Sequence, residues 1–555
     1  MPDADEKREV SDRVWRAGAA AILIAGALLR LYDLDLVPLH HDEGVNGNFV
    51  KLLVRDGVYQ YDPENYHGPT LFYLSAIIPW ISRLLPGGAL GDRYGLTTFT
   101  MRFVPAAFGI ATIGLILLLR KRMGKIAVLT AAGALAVSPG AVYLSRYFIH
   151  ESLLVFFTLA AVIVALKFHE TAKAGYLLLL AGLAGLVFAT KETAIITAGV
   201  LVVAWAMTFA VFRKPSETVD PAEEESQKTG APRSITDRSG GASGVGILAL
   251  AGLSVFVAVN ILLYSSFFTN YPKGVYDAVK TFTHWSKTGT QVHTQPWSTY
   301  LVWMWRKEST LLLLGLAGIA LALWRRRDRF AVFTALWALG VIAAYSIIPY
   351  KTPWLMLNFL LPLALSSGRL LQELSTGARN TARKLIPLAI AFAALGLSIY
   401  QTIRLNFFRY DDPSQVYVYV HTVREFLPLV DQIERISKQA GTGEQTEILI
   451  TAREYWPLPW YLRNYSRVSY HNGLVQSDAW IVVGSMDQQP NLQSFLGERY
   501  ILVKSDANPI GSFTLRPGHE LVLFVRRDVA EELPAANGYR VGSARIAGAE
   551  EPDPW

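Results

Sequence analysis

Eleven apolar segments constrain this chain most strongly, because an α-helix needs about 20 mainly apolar residues to cross a bilayer. They lie at about residues 14–32, 101–119, 126–144, 148–166, 174–190, 193–212, 243–268, 309–324, 330–348, 353–368 and 385–401. If the N-terminus is cytoplasmic and each segment crosses once, the Lys/Arg clusters between them fall inside, as the positive-inside rule expects. The sequence therefore predicts a mainly α-helical, multi-pass protein of the cell membrane with about eleven transmembrane helices.

A further apolar run, residues 69–82, is too short for an ordinary crossing and has a proline near each end. Runs of this length are typical of re-entrant or interfacial segments. A crossing here would also move the basic cluster at 120–125 to the outside. We therefore expect residues 33–98 to form one long external loop that contains a re-entrant or interfacial helix.

Composition changes along the chain and predicts two domains. Residues 1–401 hold the apolar segments, with a disordered cytoplasmic linker at 213–242 and a second external loop at 269–308. Residues 402–555 contain short β-rich runs separated by turns and one amphipathic helical stretch. They predict a small α/β domain, which charge parity places on the extracytoplasmic side.

Charge and cysteine content exclude several classes of function. The formal charge of +7 comes from clusters between apolar segments, which encode topology and not a nucleic-acid surface. There is no cysteine, so neither a disulfide framework nor a thiolate nucleophile or metal ligand can form. The first apolar segment lacks a small-residue cleavage site, which favours an anchor over a cleaved signal peptide.

An ionisable cluster, His40-His41-Asp42-Glu43, follows the first apolar segment. Charged groups near lipid cost free energy, so such a cluster is a candidate functional site. A structural alternative makes Asp42 the N-cap of the next helix, with Glu43 interacting favourably with the helix dipole. Both interpretations are compatible, because a carboxylate held at a helix N-terminus is also a preorganised base.

Several other polar residues fall on the same external side under this topology. They are His67, Arg146, Glu151, Lys191, Glu192, Tyr350 and Lys351. Structural alternatives remain open: an interfacial position for His67, headgroup contact for Lys351, and ion pairs of Arg146 with Glu151 and of Lys191 with Glu192. Their convergence favours a site where an acid activates an acceptor while cations hold an anionic leaving group.

Three features resemble the GT-C glycosyltransferases, and more narrowly the protein O-mannosyltransferase and aminoarabinose-transferase superfamily. They are an acidic pair in the first external loop, a His/Gly/Pro entry to a membrane-lying helix, and an Arg-x4-acid motif between spans. Within that superfamily, five stretches resemble a prokaryotic subgroup labelled flippase-activity-associated proteins of archaeal-type N-glycosylation: HHDEGV, YDPENYHGP, SRYFIHES, ATKET and PYKTPWLMLNFLLP. The stretch YWPLPWYLRNY in the C-terminal domain is similar to that subgroup too. Two departures are visible: Glu151 where many relatives carry Asp, and Gly68-Pro69 where many carry Pro-Pro.

The resemblance implies inverting transfer of a sugar from a polyprenyl-phosphate-linked donor to a protein, lipid or glycan acceptor outside the cytoplasm. It implies Asp42 as the base of the acidic pair with Glu43, and Arg146, His67 and Lys351 near the lipid phosphate. Further candidates for substrate binding are His41, Glu151, Lys191, Glu192 and Tyr350. Metal use varies in the superfamily, so no metal is assigned, although Asp42 and Glu43 are a candidate site for a divalent cation.

A transport function is the alternative to this enzyme. The subgroup label would fit a flippase, or a flippase accessory, for lipid-linked glycans. Transporters usually show repeated halves and interrupted helices near the bilayer midplane. The sequence shows no repeated half, and its charges gather at one face, so the glycosyltransferase is the favoured prediction.

Overall fold

The computed structural model describes residues 10–64, 67–84, 92, 94–212, 241–291, 293–377, 381–505, 508–530 and 539–540. The chain divides into two compact units. The helical unit consists of Met1–Leu34 and Leu52–Arg409, and the mixed unit of Asp35–Lys51 and Tyr410–Trp555. This division differs from the predicted domain boundary at 401/402. The mixed unit resumes at Tyr410, and it also includes residues 35–51, because they make their contacts with the C-terminal part.

Helices dominate the first 403 residues. In chain order they are α1 (Asp12–Leu31), α2 (His41–Lys51), α3 (Thr70–Ser82), α4 (Thr98–Leu118), α5 (Arg120–Met123), α6 (Lys125–Ala136), α7 (Pro139–Ser145), α8 (Glu151–Thr171), α9 (Ala174–Phe188), α10 (Ala194–Val211), α11 (Gly241–Tyr264), α12 (Lys273–Gln291), α13 (Thr299–Lys307), α14 (Ser309–Arg325), α15 (Arg329–Ile347), α16 (Leu357–Gly377) and α17 (Thr381–Ile403). Of these, α2 belongs to the mixed unit.

The helices match the predicted apolar segments. Among the described residues, eight are long and apolar enough to cross a membrane, or up to ten if the bent pairs α6–α7 and α13–α14 each count as one span. The predicted segment at 174–190 forms α9, which is shorter at 15 residues. The prediction of a mainly α-helical, multi-pass membrane protein is confirmed, and the number eleven stays a prediction.

Two other predicted segments have different outcomes. The run at 69–82 forms the 13-residue helix α3, and its re-entrant or interfacial position stays a prediction. The predicted linker at 213–242 lies outside the described residues, apart from its last two, which begin α11.

A small sheet forms the centre of the mixed unit, as the sequence predicted. Its elements are α18 (Leu427–Gln439), β1 (Glu447–Ile450), α19 (Leu458–Tyr461), β2 (Arg467–Tyr470), β3 (Ile481–Ser485), α20 (Gln489–Leu496), β4 (Tyr500–Leu502), β5 (Lys504–Ser505), β6 (Ser512–Arg516), β7 (His519–Arg526), α21 (Arg527–Ala530) and β8 (Tyr539–Arg540). The strand order is β2-β1-β3-β7-β4, with β6 also paired to β7. The strands β2, β1 and β3 are parallel, and β7 runs antiparallel to β3.

Both faces of this sheet are buried. The apolar stripe of α18, which includes Leu429, Ile433 and Ile436, packs in one cluster with Ile448 and Ile481. Alternate strand residues face the other way, because successive side chains of a strand point to opposite faces. They form a second cluster with α20. The interior strands are therefore apolar at nearly every position, as expected of a sheet covered on both sides.

Candidate active site

The acidic pair sits in the first turn of α2, whose start is capped by His40. The backbone N–H of Asp42 donates to Nδ1 of His40 at 3.0 Å, and the backbone N–H of His40 donates to Oε2 of Glu43 at 3.0 Å. This reciprocal pattern is a capping box in which an imidazole replaces the usual hydroxyl. The N-cap is thus His40, and the interpretation of Asp42 as the N-cap is wrong.

The two carboxylates consequently differ. Glu43 is fully buried, and its carboxylate accepts a hydrogen bond from the backbone N–H of His40, so it stabilises the start of α2. The side chain of Asp42 is 38% exposed at the second helical position. Of the predicted catalytic pair, Asp42 is therefore the one that a substrate could reach, and Glu43 holds the turn.

His40 is a neutral imidazole in this arrangement. Burial, and then the charges of His421 and His41, lower its pKa well below the usual value. Its Nδ1 accepts a hydrogen bond, so Nε2 carries the proton and donates to the carbonyl of Tyr419 at 3.1 Å. The 3.8 Å approach of its Nδ1 to Oδ1 of Asp42 is therefore not an ion pair.

The remaining contacts of this segment lie in the C-terminal part of the mixed unit. The backbone N–H of Leu39 donates to the hydroxyl of Tyr461 at 3.0 Å. A Cβ atom at Gly44 would lie 2.7 Å from Cβ of Pro457, so only glycine permits this close approach. The ring of His41 lies 6.1 Å from that of Trp456. These contacts explain why residues 35–51 form one compact unit with the C-terminal residues.

Two charged residues near the acidic pair were not predicted from the sequence. Arg516 forms an ion pair with Glu454, and the two side chains are 5% and 46% exposed. Burial lowers the pKa of Arg516, while the charges of Glu454 and Asp42 act in the opposite direction. Burial also lowers the pKa of His41, against the charge of Asp42. One signal in the sequence could have pointed to Glu454: it lies two residues before Trp456, the first tryptophan of the motif YWPLPWYLRNY.

In the helical unit, the start of α3 is joined to the loop between α9 and α10. The N–H of Gly68 donates to the carbonyl of Thr190 at 3.1 Å. A Cβ atom at Gly68 would lie 2.0 Å from the carbonyl oxygen of Ala189. A proline could neither donate this bond nor fit there, which accounts for the departure from the Pro-Pro step of many relatives.

His67 and Glu192 meet at this junction. Nδ1 of His67 lies 2.8 Å from Oε2 of Glu192. Burial alone would raise the pKa of Glu192, but the charge and hydrogen bond of His67 and the charge of Lys191 hold it below its usual value. A carboxylate partner fixes the proton on Nδ1 and orients the ring. Nearby, Nε2 of His150, a residue not among the predicted candidates, lies 3.0 Å from the carbonyl oxygen of Gly68.

Lys191 pairs with Glu151, and both side chains are almost fully buried. Glu192 pairs with His67, as described above. The suggested pairs Arg146–Glu151 and Lys191–Glu192 are therefore wrong. Residues adjacent in a loop point in different directions, and the fold brings together partners from separate helix ends.

Arg146 contacts the chain that follows α1. Its Nη1 donates to the carbonyl of Tyr32 at 2.5 Å, and its Nη2 to that of Asp33 at 2.7 Å. Burial, and then the charge of Arg102, lower its pKa to about 10, so it stays charged at neutral pH. Arg102, which was not predicted, donates to the carbonyl of Leu34 at 2.7 Å. The described contacts give Arg146 a structural role at the end of α1.

Lys351 likewise binds carbonyls at a helix end. Its fully buried ammonium donates to Tyr345 at 2.9 Å, to Ser346 at 3.1 Å and to Ile348. Burial lowers its pKa. An ammonium group has three donors, and here all three serve the end of α15. Tyr350 precedes it in a β-bridge to Thr294. The phosphate role predicted for Lys351 would require it to exchange these partners.

A divalent cation does not fit the acidic pair as it stands. Within the described residues, no group of three or more His, Cys, Asp or Glu is placed to hold a metal ion. One oxygen of Glu43 is also occupied by a backbone N–H.

Most of the chain is similar in fold to ArnT. A crystal structure of ArnT from Cupriavidus metallidurans bound to undecaprenyl phosphate matches with a TM-score of 0.61 and 15% identity, covering 95% of this chain and 100% of that chain. The apo state matches with a TM-score of 0.56 and 16% identity, covering 94% and 100%. The chain has the GT-C fold.

The sequence supports the same relationship over part of its length. Residues 89–219 match the family model described as dolichyl-phosphate-mannose-protein mannosyltransferase. A match to the Saccharomyces cerevisiae Pmt1-Pmt2 complex has 21% identity and covers 48% of this chain and 35% of that chain, but its TM-score of 0.33 is too low to show a shared fold. No curated protein matches the sequence. The resemblance to the GT-C superfamily is thus confirmed, while the archaeal-type subgroup stays a prediction.

The site residues therefore form two groups. His41, Asp42 and Glu43 lie in the mixed unit. The other predicted residues lie in the helical unit, where His67, Glu151, Lys191 and Glu192 come together through two ion pairs. That all of them line one cavity stays a prediction.

Proposed function

We propose that the protein is an integral-membrane glycosyltransferase. It transfers a sugar, mannose or another hexose or pentose, from a polyprenyl-phosphate-linked donor to an acceptor on the extracytoplasmic side, with inversion. The observation that carries this proposal is the similarity in fold, over 95% of the chain, to ArnT with undecaprenyl phosphate bound. The mannosyltransferase family model and the six sequence motifs support it.

Asp42 is the base in this proposal. Its carboxylate takes the proton of an acceptor hydroxyl as that oxygen attacks the anomeric carbon of the donor. The bond from the anomeric carbon to the phosphate oxygen breaks, and the polyprenyl phosphate leaves with the electron pair. The partial exposure of Asp42 and the fixed turn that holds it support this role.

His67 is the proposed contact to the donor phosphate. The hydrogen bond between its Nδ1 and Glu192 orients the ring, and its side chain is partly exposed. Phosphate is already a stable anion when it leaves, so the site needs electrostatic support more than an acid.

The test uses membranes that contain the protein and a radiolabelled polyprenyl-phosphate sugar. Asp42→Asn should lower the rate of sugar transfer about 10²–10⁴-fold, the range that general-base catalysis contributes. Asp56→Asn is the matched control, because Asp56 pairs with Arg55 in the same stretch of chain and should leave transfer unchanged.

Undiminished transfer by Asp42→Asn would overturn the role of Asp42 as base. A different result would favour the alternative function. If purified protein in proteoliposomes moved a lipid-linked glycan across the bilayer and transferred no sugar, the protein would be a flippase and not a transferase.

A further inference from the structure

A mixed aromatic and charged surface surrounds Asp42 within the mixed unit. We call it the Trp456 surface and define it by His41, Asp42, Glu454, Trp456 and Arg516. Three segments form it: the ring of His41 lies 6.1 Å from that of Trp456, and Arg516 pairs with Glu454. Asp42 follows His41 in the chain and is also among the charges that act on Arg516. Asp42, the proposed base, thus lies beside Glu454, Trp456 and Arg516, which have no role in the proposed chemical step.

Arg516 has unused hydrogen-bonding capacity. Its guanidinium is nearly fully buried, and Nη2 donates to Glu454. Nε and Nη1 have no hydrogen-bond partner among the described residues. A buried donor without a partner costs about 1–3 kcal/mol, and more in a charged group. Two such donors beside a base are suited to bind oxygen atoms of a ligand.

Trp456 adds an aromatic face. It is partly exposed, and its ring stacks at 5.9 Å on that of Tyr455. Gly44 holds α2 close to Trp456, because a Cβ there would lie 3.1 Å from its Cε3. A large, fixed ring of this kind binds the apolar face of a ligand at little cost in side-chain entropy.

We infer that the Trp456 surface binds the acceptor, and that this acceptor is a carbohydrate. A sugar ring offers an apolar face to Trp456 and neighbouring hydroxyls that both donate to Glu454 and accept from Arg516. The two carboxylates of Glu454 and Asp42 outnumber the single guanidinium, which disfavours an anionic group on the acceptor. A serine or threonine side chain offers only one hydroxyl and no ring. The inference rests on the proposed transferase function, because a bound carbohydrate is an acceptor only if the protein transfers a sugar to it.

Binding can be tested without the donor. Purified full-length protein is placed in nanodiscs, and saturation-transfer NMR and tryptophan fluorescence are recorded with methyl glycosides and short oligosaccharides. A threonine-containing peptide is the comparison ligand. The wild type should bind at least one glycoside and not the peptide. Trp456→Ala and Arg516→Gln should each weaken that binding at least about tenfold, as expected for the loss of charge-assisted hydrogen bonds or a stacking face.

Matched controls separate this site from general effects. Phe495→Ala removes an exposed aromatic ring on α20, and Arg526→Gln removes an arginine of β7 that is paired with Asp528. Both should bind glycosides as the wild type does. Trp456→Phe keeps an aromatic plane and should retain partial binding, even if a more drastic variant fails to fold.

Each outcome has a defined meaning. Glycoside binding that is unchanged in Trp456→Ala and Arg516→Gln would overturn the inference, as would binding of the peptide in place of glycosides. Glycoside binding that depends on both residues supports it. If such binding occurs and yet no sugar is transferred from a polyprenyl-phosphate donor, the proposed transferase function fails while the carbohydrate site stands.

Discussion

One group of site residues in each unit holds its charges differently. In the helical unit, Glu151 and Lys191 are buried and paired with each other, and Glu192 is paired with His67. In the mixed unit, Asp42 is partly exposed and is placed by a neutral imidazole and by backbone bonds. Burial in pairs makes a charge structural, because a lone buried charge is costly, whereas exposure on a fixed turn leaves a charge available for chemistry. The following predictions test that difference.

The largest effect should come from breaking the buried pair. Glu151→Gln or Lys191→Met leaves one charge buried without its partner, which costs about 3–5 kcal/mol. Thermal unfolding of the purified protein, followed by circular dichroism, measures this loss. The double variant Glu151→Leu/Lys191→Met should recover most of the stability. Full stability of both single variants would show that this pair is not structural.

Gly68→Ala should have the next largest effect. The added Cβ would meet the carbonyl of Ala189, and overpacking of this kind costs about 1–3 kcal/mol. Gly114→Ala is the control, because a Cβ there meets nothing within 4 Å. Denaturant or thermal unfolding compares the two variants. Equal stability of both would mean that α3 does not depend on this close approach.

Substitutions of His40 separate capping from attachment to the C-terminal part. Asparagine can still accept from the N–H of Asp42 but cannot reach Tyr419, whereas alanine loses both bonds. The rate of sugar transfer should be highest in the wild type, lower in His40→Asn and lowest in His40→Ala. His40→Ala should also lose about 1 kcal/mol in its free energy of unfolding. Transfer by His40→Ala at the wild-type rate would show that Asp42 does not depend on this turn.

His40 and Glu192 should affect the pH dependence of stability over different ranges of pH. The pKa of His40 is depressed below its usual 6.5, so the unfolded chain binds a proton that the folded chain does not. Stability is then present above pH 6.5 and falls as the pH drops below it. The pKa of Glu192 is lowered below the usual 4.5 of a glutamate, so this residue reduces stability only as the pH falls below about 4.5.

Unfolding temperatures measured from pH 7.5 to 4 test this order. The wild type should lose a few degrees between pH 6.5 and 5.5, and His40→Asn should lose less over that interval. Glu192→Gln should differ from the wild type in pH dependence only below about pH 4.5. A decline below pH 6.5 that is the same in His40→Asn would show that His40 is not its source.

Much of the fold could be predicted because hydropathy is carried by consecutive residues. The apolar segments became helices, and the short β-rich runs after residue 402 became a sheet covered on both faces. Helix caps were harder: the start of α2 was predicted, but the capping group is an imidazole, which capping preferences do not favour. The motifs located most of the candidate residues, although neither Arg516 nor Glu454 stood out.

By itself, the sequence determined the multi-pass helical character, the small α/β domain and the position of the acidic pair after the first apolar segment. Only the tertiary structure decided that Lys191 pairs with Glu151, that Lys351 caps α15, and that residues 35–51 pack with the C-terminal part. The reason is physical. Hydrophobicity and charge clusters add up locally along the chain, whereas an ion pair or a cap depends on which distant segments the packed interior brings within about 3 Å.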